Sequence, residues 1–196
     1  MRQVYVNGDY KREDEAKVSI FDRGLLFSDS IYEVTSVING KLIDFNHHMK
    51  RLDRSMTELK FKNFINHDEI LEFHRKLIEL NNLKEGMVYT QVTRGVVDRS
   101  FDMPKEAIKP TVLAFTQEKK ILESDAAKNG IKVMTLEDMR WKRNDIKTTQ
   151  LLYASMAKSE ATAKGFDDAW MLRQGYVTEG SSNNAWIVKG KIIMTR

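Results

Sequence analysis

VTSVINGKLIDFNHHMKRLDRSMTEL, residues 34–59, holds two periodicities in one stretch. Val34 to Ile38 and Lys41 to Ile43 flank Asn39-Gly40, a pair that accepts the positive backbone angles of a tight turn, so the stretch opens as an antiparallel hairpin. Phe45, Met49, Leu52, Met56 and Leu59 then recur at alternating steps of four and three, which puts them on one face of a helix. Arg51 and Arg54 fall off that apolar stripe.

Reading outward, the chain runs from Met1 straight into alternating, strand-like sequence and lacks the continuous apolar core of a secretory signal. Downstream, Asn66 or Asp68 is placed to cap a second helix with Ile70, Phe73, His74 and Leu77 on one side. Gly86 marks a return to strand, Met87 to Thr93 alternates, and Thr111 to Thr116 forms a short apolar run after Pro110. The charged, weakly patterned stretch 117–130 reads as a connection between an N-terminal domain, 1–116, and a C-terminal one, 131–196. In the second part Ile131 to Leu136 and Asp168 to Leu172 read as strands, and a last hairpin joins Trp186-Ile187-Val188 to Ile192-Ile193-Met194 through Lys189-Gly190. Thr149 to Lys164 reads as a helix stopped by Gly165, with Leu152, Met156 and Ala163 on its packing face. Strands and helices come in blocks, which favours α+β over a doubly wound parallel sheet. A hairpin only just formed when the chain stops at Arg196 implies an incomplete second domain.

Composition removes several classes of chemistry. With no cysteine, the chain has no disulfide, no Cys-ligated zinc and no thiol nucleophile, and His47, His48, His67 and His74 lack metal-site spacing. The net charge of +4 is spread among interspersed acids and bases, which suits a small anionic ligand better than nucleic acid. No apolar run is long enough to span a bilayer, and the expected compartment is cytoplasmic.

Three further segments carry chemistry. They are Phe21-Asp22-Arg23-Gly24-Leu25-Leu26-Phe27-Ser28-Asp29-Ser30-Ile31-Tyr32-Glu33, Arg140-Trp141-Lys142-Arg143-Asn144-Asp145-Ile146-Lys147, and Val177-Thr178-Glu179-Gly180-Ser181-Ser182-Asn183-Asn184. Their order and separation resemble the class IV pyridoxal-phosphate (PLP) aminotransferases and lyases, and Gln91-Val92-Thr93-Arg94-Gly95 is most similar to the D-amino-acid transaminase branch. The resemblance covers essentially the whole chain. It implies the fold-type-IV architecture, a smaller N-terminal α/β domain followed by a mixed β/α pseudo-barrel domain. It also implies ping-pong transamination between an amino acid, D-alanine favoured, and a 2-oxo acid.

The same resemblance assigns roles. A PLP enzyme needs a lysine amine that forms an imine with the cofactor aldehyde and then moves the α-proton, and Lys147 matches it. Glu179 matches the carboxylate that keeps the pyridine nitrogen protonated. Arg51 matches the guanidinium that forks onto the cofactor phosphate, with Ser181 and Ser182 offering amides and hydroxyls at a small-residue turn. Arg140 is implied to reach the cofactor's phenolic oxygen. Tyr32 and Arg99 match residues that hold the substrate carboxylate, and Phe101 stands where the branch has a histidine, so one donor to that carboxylate is missing. Because a partner subunit supplies part of this site in the family, a homodimer with a shared active site is implied.

Taken singly, each residue has a plainer reading: Lys147 as a solvated lysine, Glu179 as a turn carboxylate, Arg51 as an exposed helix arginine, Phe101 as loop packing. Within the family, a branched-chain L-amino-acid aminotransferase and an aminodeoxychorismate lyase are the alternatives. A different class, a basic non-enzymatic binding protein, would use Arg94, Arg99, Lys142 and Arg143 on phosphates, although aromatic and basic residues do not interleave as base-stacking proteins require.

Overall fold

The computed structural model describes residues 1–195, and the chain divides into two compact units. The first comprises Met1–Leu122 together with Asp145–Thr149; the second comprises Glu123–Asn144 and the residues from Gln150 onward. The division after Leu122 lies inside the expected connection, whereas the return of 145–149 to the first unit has no counterpart in the sequence reading.

In the first unit, β1 (Gln3–Val6), β2 (Asp9–Arg12), α1 (Arg23–Phe27), β3 (Ser30–Ile38), β4 (Lys41–Leu42), α2 (Phe45–Glu58), α3 (His67–Leu80), β5 (Glu85–Thr93) and β6 (Thr111–Glu118) follow in order. The six strands form one antiparallel sheet in the order β2-β1-β6-β5-β3-β4. The expected hairpin is β3 and β4, turning at Asn39 and Gly40 with φ of 51° and 72°. Period-two alternation in β3 buries Ile31, Glu33, Thr35 and Val37. The apolar stripe of α2 delivers Met49, Leu52 and Met56 to the core, and α3 delivers Ile70, Phe73 and Leu77, all at most 1% exposed. Each such side chain contributes roughly 1.5–3 kcal/mol relative to full exposure. Asn66 caps α3 by accepting the Asp68 N–H at 2.8 Å. Residues of β3, β5 and β6 that point the other way stack as a row, Tyr32 on Tyr89 at 5.5 Å and Tyr89 on Phe115 at 4.8 Å between ring centres.

The segment 145–149 adds to the free side of β3. The Tyr32 N–H donates to the Lys147 carbonyl at 3.0 Å, the Thr149 N–H donates to the Ser30 carbonyl at 3.2 Å, and Thr148 bridges Ile31.

The second unit contains α4 (Asp125–Asn129), β7 (Val133–Glu137), α5 (Leu152–Ala163), β8 (Asp168–Arg173), β9 (Tyr176–Gly180), β10 (Ile187–Lys189) and β11 (Ile192–Met194). β7 runs parallel to β8, β8 antiparallel to β9, and β10 pairs with β11 as the expected hairpin. Two features of α5 correct the sequence reading. It starts at Leu152 rather than Thr149, because the backbone of 147–149 is already pairing with β3. Its packing face is Ala157 and Ala161, set against Ala169, Met134 and Leu136, whereas Leu152 and Met156 are 76% and 59% exposed and Ala163 is also exposed. Small side chains let the helix backbone approach the strands closely, and Leu or Met on that face would hold it off.

Candidate active site

Lys147 is held by its backbone from two directions within the first unit. Its carbonyl accepts from Tyr32 of β3, and its N–H donates to Ser55 Oγ of α2 at 3.3 Å. Arg54 of the same helix pairs with the Asp145 carboxylate at 2.8 Å and donates to its carbonyl at 3.3 Å. A helix and a strand therefore fix the chain on both sides of a half-buried lysine. Its amine donates to the Tyr32 hydroxyl at 3.1 Å and lies 4.2 Å from the centre of that ring. Tyr32 is the one partner for this amine among the described residues.

One residue along β3, alternation turns Glu33 to the helix side, where its side chain is 1% exposed. Arg51 forks onto it, Nε to Oε1 at 2.8 Å and Nη2 to Oε2 at 2.6 Å, and His48 Nδ1 lies 2.7 Å from Oε2. Burial raises the Glu33 carboxyl, but the hydrogen bonds from Arg51 and His48 outweigh it and hold the group below the usual carboxylate range. The Arg51 guanidinium is raised in turn, first by its hydrogen bonds to Glu33. Its side chain is still 43% exposed, and its Nη1 donates to nothing among the described residues. Sequence reading overlooked Glu33. The signal was there: a charged residue in an otherwise uncharged inward register, Ile31, Glu33, Thr35, Val37.

In the second unit Glu179, on β9 opposite Met171 of β8, pairs with the Nη1 of Arg140. Arg140 is bound through Nε and Nη2 to the two oxygens of Asp138, each at 2.9 Å, and Thr178 donates to the same carboxylate at 2.8 Å. Burial raises Asp138, and these donors more than reverse it, keeping the group far below the ordinary aspartate value. Ser181 is buried with its hydroxyl on Asp168 and its N–H on the Ala169 carbonyl, so both donors expected to face a ligand serve the fold instead. Ser182 is exposed. Asn183 also donates to Asp168, at 2.7 Å, and a Cβ at Gly180 would stand 2.1 Å from Asn183 Oδ1, so a larger residue there would have to displace that side chain.

Arg99 and Phe101 lie exposed between β5 and β6. Arg94, offered to phosphates by the binding-protein reading, is instead buried, with Nε on Asp29 at 2.7 Å and Nη2 on the Leu59 carbonyl at 2.6 Å. That removes one of the four cations the reading needs.

Residues 30–196 match the model of the class IV amino-transferase family. A D-alanine aminotransferase of Staphylococcus aureus (strain MSSA476) is 38% identical over 195 residues, which take in 100% of this chain and 69% of that one. A D-alanine aminotransferase of Bacillus licheniformis is 35% identical over 193 residues, covering 98% of this chain and 68% of its own length. A solved branched-chain amino acid aminotransferase from Escherichia coli superposes with a TM-score of 0.84 at 22% identity, over 99% of this chain and 67% of that one, a likeness of fold. Among the described residues no helix is long and apolar enough to cross a membrane.

Proposed function

The chain belongs to the class IV aminotransferases, and from that premise we propose that it transfers the amino group of a D-amino acid, such as D-alanine, to a 2-oxo acid in a ping-pong cycle. The enzyme is PLP-dependent, and its donor set fits a ligand that carries an aldehyde and a phosphate. Lys147 offers an amine bound only to a phenol among the described residues, and Arg51 offers a guanidinium with one edge unspent.

When bound, the cofactor supplies an electron sink that makes the α-proton of an amino acid removable. Lys147 Nζ takes that proton and returns it, and the Tyr32 hydroxyl orients the amine. Arg51 holds the phosphate, with Glu33 and His48 fixing the plane of its fork. Glu179 keeps a proton on the pyridine nitrogen. Arg140 is committed to Asp138 and Glu179, so we assign it to orienting Glu179 rather than to the phenolic oxygen. Tyr32 and Arg99 bind the substrate carboxylate. Two relatives named D-alanine aminotransferase, at 38% and 35% identity, support the D-amino-acid choice. The exposed position of Arg99 and Phe101 supports a homodimer in which this loop serves the other subunit's substrate.

The observation that carries the reading is the 3.1 Å contact between Lys147 and Tyr32, two residues far apart in sequence that the family resemblance had singled out separately. The test is a substrate panel. With PLP and a 2-oxo acid acceptor, the full chain is expected to convert D-alanine to pyruvate and to leave L-leucine and L-glutamate untouched. Turnover of either L-amino acid would contradict the stereochemical assignment, and pyruvate released from aminodeoxychorismate without an acceptor would make it a lyase.

A further inference from the structure

Arg99 stands on an exposed loop, yet its guanidinium is not loose. Its central carbon lies 5.3 Å from the ring centre of Phe27 and 5.2 Å from that of Phe101, and the two rings meet edge to face at 5.5 Å. Phe27 also carries a second guanidinium, that of Arg23, at 4.6 Å. Arg23 is buried, binds Asp29 through Nε at 2.7 Å, and donates through Nη1 to the carbonyl of Ser100 at 2.8 Å, the residue between Arg99 and Phe101. The same oxygen, Asp29 Oδ2, also accepts at 2.7 Å from Nε of Arg94, which is buried as well. One buried ion cluster therefore fixes the backbone of the loop, and one ring links that cluster to the side chain of Arg99. No acidic partner or hydrogen-bond acceptor engages Arg99 among the described residues.

We propose that Phe27 and Phe101 are positioning residues that hold Arg99 ready for a substrate carboxylate, with Arg23 holding the loop they act through. This deepens the reading above and rests on the assignment of Arg99 to that carboxylate. A free arginine loses much rotamer freedom when it binds an anion. Ring faces reduce that loss beforehand, and unlike an acidic partner they neither neutralise the charge nor occupy its N–H donors. Phe101 cannot share the anion as a histidine would, so its contribution is to aim the guanidinium. The carboxylate is then gripped by the fork of a single pre-set arginine together with the Tyr32 hydroxyl of the subunit that holds the substrate.

The test uses the full chain loaded with PLP and the amino donor it turns over. Phe101→Leu and Phe27→Leu are each expected to raise KM roughly two- to fivefold and the double variant about tenfold, the size of exposed cation–ring contacts, with kcat nearly constant. Phe27→Tyr, which keeps a ring, should restore the wild-type KM, and Arg99→Ala should raise KM more than any of them. In the unloaded chain the Arg99 side-chain proton resonances should lie upfield through ring currents, move part of the way to ordinary positions in each Leu variant and reach them in the double variant. Phe101 is 81% exposed, so Phe101→Leu tests the idea without threatening the fold. If the Leu variants keep both KM and the shifted resonances while Arg99→Ala raises KM, the bracket is wrong and the carboxylate assignment stands. If Arg99→Ala leaves KM unchanged, that assignment itself falls, and the bracket with it.

Discussion

Tyr32 and Glu33 are neighbours in the chain that face opposite sides of one sheet, and the division of labour at the site follows from that. Tyr32 meets the amine of Lys147; Glu33 holds the guanidinium of Arg51. Sequence motifs were enough to single out Lys147, Arg51 and Tyr32, because their neighbours in the chain identify them. Glu33 closes the first motif segment and His48 lies three residues before Arg51, yet neither was given a role, because what makes them matter, a carboxylate buried against a fork of donors, exists only once α2 lies on β3. Glu33→Gln keeps the shape but offers Arg51 one acceptor oxygen and no charge. The expected outcome is a dissociation constant for PLP raised about tenfold, with wild-type folding at pH 7, read by titrating cofactor into the unloaded chain. Unchanged affinity would show that Arg51 needs no such support.

At the scale of elements, α2 and α3 were legible because large apolar residues repeat at helical spacing in both. α5 was legible as a helix but not in its packing face, because that face is alanine, whose small side chain gives little contrast with its surroundings; Leu152 and Met156 drew the reading to the wrong side. The pairing of 147–149 with β3 was equally hidden, since so short a run has no periodicity to display. α3 also carries a titrating group in its packed face. His74 is fully buried with Nε2 at 2.6 Å from the Thr90 hydroxyl, and burial, helped by His48, pushes its imidazole down from 6.5 to about 3. Between those values the unfolded chain takes up a proton that the folded chain refuses, so this residue lowers stability as pH falls below 6.5 and stops doing so below about 3. The slope approaches about 1.4 kcal/mol per pH unit. Urea unfolding at pH 7 and pH 5 should therefore show a loss of about 2 kcal/mol from His74, absent in His74→Gln, which keeps a hydrogen-bonding partner for Thr90 and does not titrate. An identical pH dependence in the two proteins would place the titration elsewhere.

For the whole molecule, the block arrangement of strands and helices identified the mixed class, and two of the five antiparallel pairs, β1 with β2 and β3 with β4, follow from short turns, which can join only antiparallel neighbours; the other three pairs are long-range. What the sequence could not supply is the return of residues 145–149 to the first unit, which is a long-range event: the lysine lies among residues of the second half of the chain, yet its backbone is secured by β3 and α2. That return leaves the amine of Lys147 facing a phenol while the lysine's main chain is locked in place, the arrangement a covalently engaged amine requires. The most direct measurement is to incubate the full chain with PLP, reduce with borohydride and map the peptides by mass. The cofactor should be found attached to the peptide that contains Lys147, with Lys147→Ala losing both the attachment and the amino transfer. Attachment to another lysine, or transfer that survives in Lys147→Ala, would contradict the assignment on which the mechanism stands.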